Sequence, residues 1–195
     1  MTSDDPWYER AEASARLTQG DIILRCPLIS WADRPFSLSG GRLDEVLKTF
    51  ADGIVEDVVV MTQACDLEND KVSNVVLCPH WSLEDYKLEW EADARAHQQN
   101  PTDKAWKKHC DNIKDGYQWN LSMLNEGSVQ GLSIARRIVE FQDLYTVPRS
   151  FLETLIQERA EPRLRLKPPY REHLSQAFAR FFMRVGLPVA VNSDW

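Results

Sequence analysis

The chain has 195 residues, 43% of them apolar and 27% charged, and a net charge of −7. That length fits one domain burying roughly 70% of its unfolded surface, with no need of disulfide or metal staples. The acidic total excludes a uniformly basic nucleic-acid binder, no stretch approaches the ~18 apolar residues of a membrane span, and the acidic start MTSDDPWYER is unlike a signal peptide, so the expected compartment is the cytoplasm.

In chain order, residues 1–16 read as a polar leader with a short helix over 8–16. Gly20 supplies a turn before a strand at 21–25, which Pro27 is expected to limit. Residues 30–42 are loop-like, with Pro35 and Gly40-Gly41. Leu43, Val46, Leu47 and Phe50 then fall at helical spacing. Val58-Val59-Val60-Met61-Thr62-Gln63 is a continuous β-branched run, as a strand buried on both faces requires. Residues 66–70 form a turn-rich interruption, and a second apolar strand at 74–78 stops at Pro79, so the two strands are predicted to make a hairpin.

Residues 83–119 are charge-dense and read as two helices, near 83–99 and 102–115, excursing from the strands. Strands return at 120–124, 133–140 and 145–148. A helix at 148–159 follows, then an extended basic link at 163–169. A last helix begins near Tyr170, with Leu174, Ala177, Phe178, Phe181 and Val185 forming an apolar stripe that Gly186 and Pro188 end. The whole is predicted as one α+β domain over 1–195, with a helical insertion at 83–119 and a C-terminal helical region at 149–187.

Charge is segregated. Asp44, Glu45, Asp52, Glu56, Asp57, Asp66, Glu68 and Asp70 lie in one segment, and Arg159, Arg163, Arg165, Lys167, Arg171, Arg180 and Arg184 in another. Either the two segments neutralise each other in the fold, or one face attracts phosphate or an acidic partner.

Four features carry candidate chemistry. Thr62-Gln63-Ala64-Cys65-Asp66 ends the central strand, where polar groups project from a rigid base; the alternative is a turn whose Asp66 bonds the loop backbone. His80 ends the partner strand, and pairing in the hairpin is expected to bring it near Thr62 or Asp66 as a proton-transfer group; beside Trp81 it equally suits a packed residue. Arg163, Arg165, Lys167 and Arg171 flank Tyr170 and suit either a phosphate-tracking strip or an edge strand with solvated arginines. Arg136-Arg137 is a second basic point. Cys26, Cys65, Cys78 and His80 lack the tight paired spacing of a zinc site, no base accompanies Cys65 as a nucleophile, and no metal or cofactor is expected.

Gln19-Gly20-Asp21-Ile22-Ile23, then Val58-Val59-Val60-Met61-Thr62, then Val75-Val76-Leu77-Cys78-Pro79 resemble the MazF/PemK-like toxins. The resemblance covers about 60 residues. It implies a small SH3-like β-barrel core over residues ~18–80 and ~120–148, and a metal-independent endoribonuclease acting on mRNA. Enlarged proteins of this kind resemble CRISPR-linked CalpT-type defence proteins, which implies an antitoxin, protease or regulator as protein partner. Glu56-Asp57 occupies the approach where that family carries its catalytic arginine, and His80-Trp81 intervene before Ser82 where it carries a threonine. The implied catalytic set is therefore a rebuilt one, Thr62, Asp66 and His80, with Gln63, Arg25, Arg136, Arg165, Lys167 and Arg171 holding RNA. The rival expectation is a non-catalytic protein-interaction module on the same barrel, using the acidic 41–70 surface or the C-terminal helix. A metal-dependent hydrolase is a third class.

Overall fold

A computed structural model describes residues 5–33 and 42–183. The core begins with the β-branched run. Strand β2 (Ile22–Trp31) pairs antiparallel with β3 (Ala51–Val60), and β3 with β4 (Asn74–Ser82). Val58, Val59 and Val60 are all fully buried, because β3 lies between two apolar layers: Val58 and Val60 face one, Val59 and Met61 the other. Burying each such valine contributes about 1.5–3 kcal/mol.

Helix α1 (Leu43–Phe50) joins β2 to β3, and α2 (Ala64–Glu68) joins β3 to β4. The turn expected at 66–70 is thus partly helical, with Leu67 fully buried as its anchor. The helical insertion is α3 (Leu83–Ala96) and α4 (Asp103–Lys114), N-capped by Ser82, whose Oγ accepts from the Asp85 N–H at 3.0 Å, and by Thr102, whose Oγ1 accepts from Ala105 at 3.2 Å. Trp90, Trp106, His109 and Tyr86 pack their rings together between these helices.

Strand β5 (Leu121–Leu124) follows, then the hairpin β6 (Gly127–Val129) and β7 (Leu132–Ile134), β8 (Arg137–Glu140) and β9 (Tyr145–Pro148). The single strand expected at 133–140 is divided between β7 and β8. Helix α5 (Arg149–Arg159), strand β10 (Arg163–Leu166) and helix α6 (Tyr170–Phe182) complete the described chain; the helix stop expected at Gly186 and Pro188 lies outside it.

The main sheet runs β2-β3-β4-β8-β5, with β9 also pairing β4, and its neighbours are antiparallel. It is open: no pairing joins β2 to β9 or β5 among the described residues. The α+β class holds, with strands dominant through β4 and helices frequent after it.

Two prolines that were expected to end strands lie inside them. Pro27 in β2 sits opposite Val55, and Pro79 in β4 opposite Val58. Neither removes a ladder bond, because both occupy positions where the backbone points away from β3. On its other side, Pro79 falls between the stretch of β4 bonded to β9 and the stretch bonded to β8.

The expected N-terminal helix is instead strand β1 (Tyr8–Ala11), antiparallel to β10. Local composition there permits a helix, but Tyr8 is fully buried and its hydroxyl donates to the Asn125 carbonyl at 2.7 Å, so tertiary contact decides the conformation.

Candidate functional site

Gly20 has φ +83°, and a Cβ there would come within 3.0 Å of the Leu166 Cβ, so only glycine fits. The turn sends Asp21 into the interior, where it is fully buried. Its carboxylate accepts from Arg163 Nε at 2.9 Å, from Arg165 Nε and from the Thr18 N–H at 3.1 Å. Arg163 also donates to the carbonyls of Glu12, Ala15 and Arg16. The Gly-Asp pair that carries part of the resemblance therefore holds β2, β10 and the leader together.

The polar run after β3 is a second joint. Thr62 Oγ1 accepts the Val76 N–H at 2.7 Å, which fastens the start of β4. Gln63 Nε2 donates to Ser175 Oγ at 3.0 Å, and Gln19 Nε2 donates to the same oxygen at 3.3 Å and to the Met61 carbonyl at 3.1 Å. Ser175, on α6, is a partner that sequence reading missed; its only signal is a hydroxyl set within the apolar stripe. Asp66 lies in the first turn of α2, 3.8 Å from the exposed Cys65 Sγ, and is half-buried.

His80 is not brought to this joint. The β3–β4 register pairs Val60 with Leu77 and Val58 with Pro79, so Thr62 meets the start of β4 and His80 lies four residues further on, about 13 Å along the strand. It is 1% exposed, and neither ring nitrogen has a well-formed hydrogen bond. Burial first, then the Arg137 guanidinium, depress its pKa to about 3, so the ring is neutral and sealed from solvent. Thr62 and Asp66 stand near one end of the hairpin and His80 at the other.

The basic candidates divide. Arg165 is engaged by Asp21 and the Arg16 carbonyl, and Lys167 Nζ donates to the Asp5 carbonyl at 2.9 Å. The alternation of Arg and Leu in β10 is as expected, but its bases point into a buried carboxylate rather than to solvent. Arg171 packs over Gly20 and pairs with Glu172 at 2.8 Å. Arg136 lies 3.6 Å from Glu126. Arg25, at φ +51° in the irregularity of β2, is exposed and its own N–H donates to Asp57. These residues do not form one strip.

Nor do the two charge segments pair with each other among the described residues. Arg159 donates to the carbonyls of Leu24 and Arg25, Asp57 pairs with Arg137, and Asp70 with Arg16 and Arg149. Cys26 and Cys78 are fully buried, with burial raising the Cys26 thiol to about 11, and no three His, Cys, Asp or Glu side chains converge among the described residues.

What the fold does build is a groove of about 740 Å³ between β2 and the segment ending in β9 and α5. Ile29 and Trp31 stand on one side, 76% and 69% exposed; Leu144, Thr146 and Phe151 stand on the other. Both sides are strand edges. Ala32 donates to the Phe50 carbonyl, which by antiparallel alternation turns the backbone of Ile29 and Trp31 away from β3. Val76 is bonded to Met61 and Thr62, and Arg149 donates to Ser73, so the backbone of Thr146 turns away from β4. At one end Asp143 lines the groove, and Glu56 sits in β3 opposite Cys26, one residue from the groove-lining Pro27. Burial, then the neighbouring Asp57, Glu89 and Asp143 carboxylates, raise the Glu56 pKa. Neither Glu56 nor Asp143 is in an ion pair among the described residues, which leaves this end acidic.

Comparison with known proteins finds no match to any family model, curated protein or solved structure.

Proposed function

We propose that this chain is a non-catalytic protein-interaction module, an opened relative of the small SH3-like barrel that docks a partner in the groove between β2 and β9. The observation that carries the reading is the pair of unpaired strand edges lining one groove. Exposed backbone donors and acceptors flanked by large apolar side chains are costly to leave open, and proteins that keep them use them for association. Glu56, of the 41–70 segment, stands beside this groove, opposite Cys26 in β2.

An endoribonuclease reading draws less support. Cleavage through a 2′-hydroxyl needs a base and an acid within reach of one substrate. His80 is buried and neutral, and the Thr62 hydroxyl already accepts a backbone N–H.

Three measurements test the proposal together. RNA incubated with the purified protein without metal stays intact, and induced expression leaves growth unchanged. A tagged wild-type chain retains one stoichiometric partner from its native host, and a Trp31→Ala chain loses it. Fragmented RNA, or a partner indifferent to Trp31 and Ile29, overturns the reading.

A further inference from the structure

We infer that the occupant of this groove is a single extended peptide strand, with basic side chains alternating with apolar ones, added to the β2 edge and to the β9 edge. The inference rests on the docking reading above and names the chemistry of its ligand.

The backbone carries the first part of the argument. The N–H and C=O groups of Ile29, Trp31 and Thr146 point into the groove and away from their own sheet partners. A helix satisfies its backbone internally and offers these groups nothing, whereas an extended chain offers a donor and an acceptor at every second residue. Pro27 and Pro148 sit at the next outward-facing positions of these edges, where they contribute no N–H. They limit the register in which a strand can add, so the site takes a short segment rather than a long one.

Side chains carry the second part. Successive residues of an added strand point to opposite faces. Ile29, Trp31 and Val55 form an exposed apolar surface on the outer face of the β2–β3 ribbon, with Val55 60% exposed. Asp143 lines the groove and Glu56 stands opposite Cys26, next to the groove-lining Pro27; neither carboxylate has an ion-pair partner among the described residues. Apolar side chains of the added strand cover the first surface, and lysines or arginines meet the second.

The same charges decide against other occupants. A polyanionic nucleic acid meets carboxylates. A second copy of this chain, pairing edge to edge, brings its own Glu56 and Asp143 against these, and opposed like charges destabilise pairing.

The test titrates the full ¹⁵N-labelled chain with an acetylated, amidated nine-residue peptide alternating valine and lysine. Two comparison peptides carry glutamate for lysine, or N-methyl groups at alternate residues. The inference predicts amide shifts centred on Ile29, Trp31 and Thr146. Binding weakens at least tenfold with the glutamate peptide and at least tenfold with the methylated one, and Glu56→Lys with Asp143→Lys reverses the charge preference. Shifts at the same amides that ignore both charge and methylation overturn strand addition while leaving the groove a docking surface. Concentration-dependent dimerisation that shifts these amides without peptide also overturns it. Absence of shifts with all three peptides overturns it too, and the Trp31→Ala partner experiment then decides separately whether the docking reading stands.

Discussion

Arg163 Nε and Asp21 Oδ2 lie 2.9 Å apart in the interior, joining the strand that opens the sheet to the strand that precedes the last helix, across 142 residues of chain. Asp21 is fully buried and meets two guanidinium groups. Removing one member of such a cluster leaves an uncompensated buried charge, typically at a cost of about 3–5 kcal/mol. Asp21→Asn should lower the unfolding free energy by that amount, seen as a lower urea midpoint at an unaltered slope. A loss below about 1 kcal/mol would show that water reaches the cluster.

The neutral His80 makes stability depend on pH. Its pKa is 6.5 when free and about 3 in the fold, so between those values the unfolded chain holds the extra proton. Stability from this group is complete above pH 6.5 and falls as pH drops through the window, by about 1.4 kcal/mol per unit. His80→Leu removes the titration, so the stability gap between wild type and variant should be constant above pH 6.5 and shift against the wild type below it. Parallel curves from pH 7 to 4 would mean that the folded ring protonates normally.

Thr62 fastens the start of β4. Thr62→Val keeps the β-branched shape but strips the acceptor from the Val76 N–H, which costs about 1–3 kcal/mol when a partly buried donor is orphaned. Thermal unfolding measures it. An unchanged melting temperature with lost activity on RNA would restore the hydroxyl to a chemical role.

Ile29 and Trp31 are exposed, so replacing them by threonine and serine should change stability by no more than about 0.5 kcal/mol. Partner binding should nonetheless weaken tenfold or more. Unfolding and binding measured on the same preparation separate the two effects.

Much of the fold was legible in sequence. The helix at Leu43–Phe50 follows from periodicity, the two helices around Pro101 from charge-dense composition, and the burial of Val58, Val59 and Val60 from an unbroken β-branched run. Strand β1 was not legible, because what holds Tyr8 extended is β10, more than 150 residues away. The site was harder. Adjacency in a hairpin was read as proximity of Thr62 and His80, but antiparallel strands bring together residues whose numbers have a constant sum, here 137, and 62 with 80 do not meet it. The bases of β10 looked solvated because Asp21, which draws Arg163 and Arg165 inward, stands far away in the chain. The groove had no signal of its own, since an unpaired edge is a property of sheet topology rather than of any segment.

Hydrogen exchange at three backbone amides tests the docking account most directly. In the isolated protein the N–H groups of Ile29, Trp31 and Thr146 should exchange rapidly while their neighbours Leu28, Ser30 and Val147 are protected, and all three should become protected when the partner is bound. Protection of the three in the isolated chain would mean that the edges are already paired and that no strand-accepting groove exists.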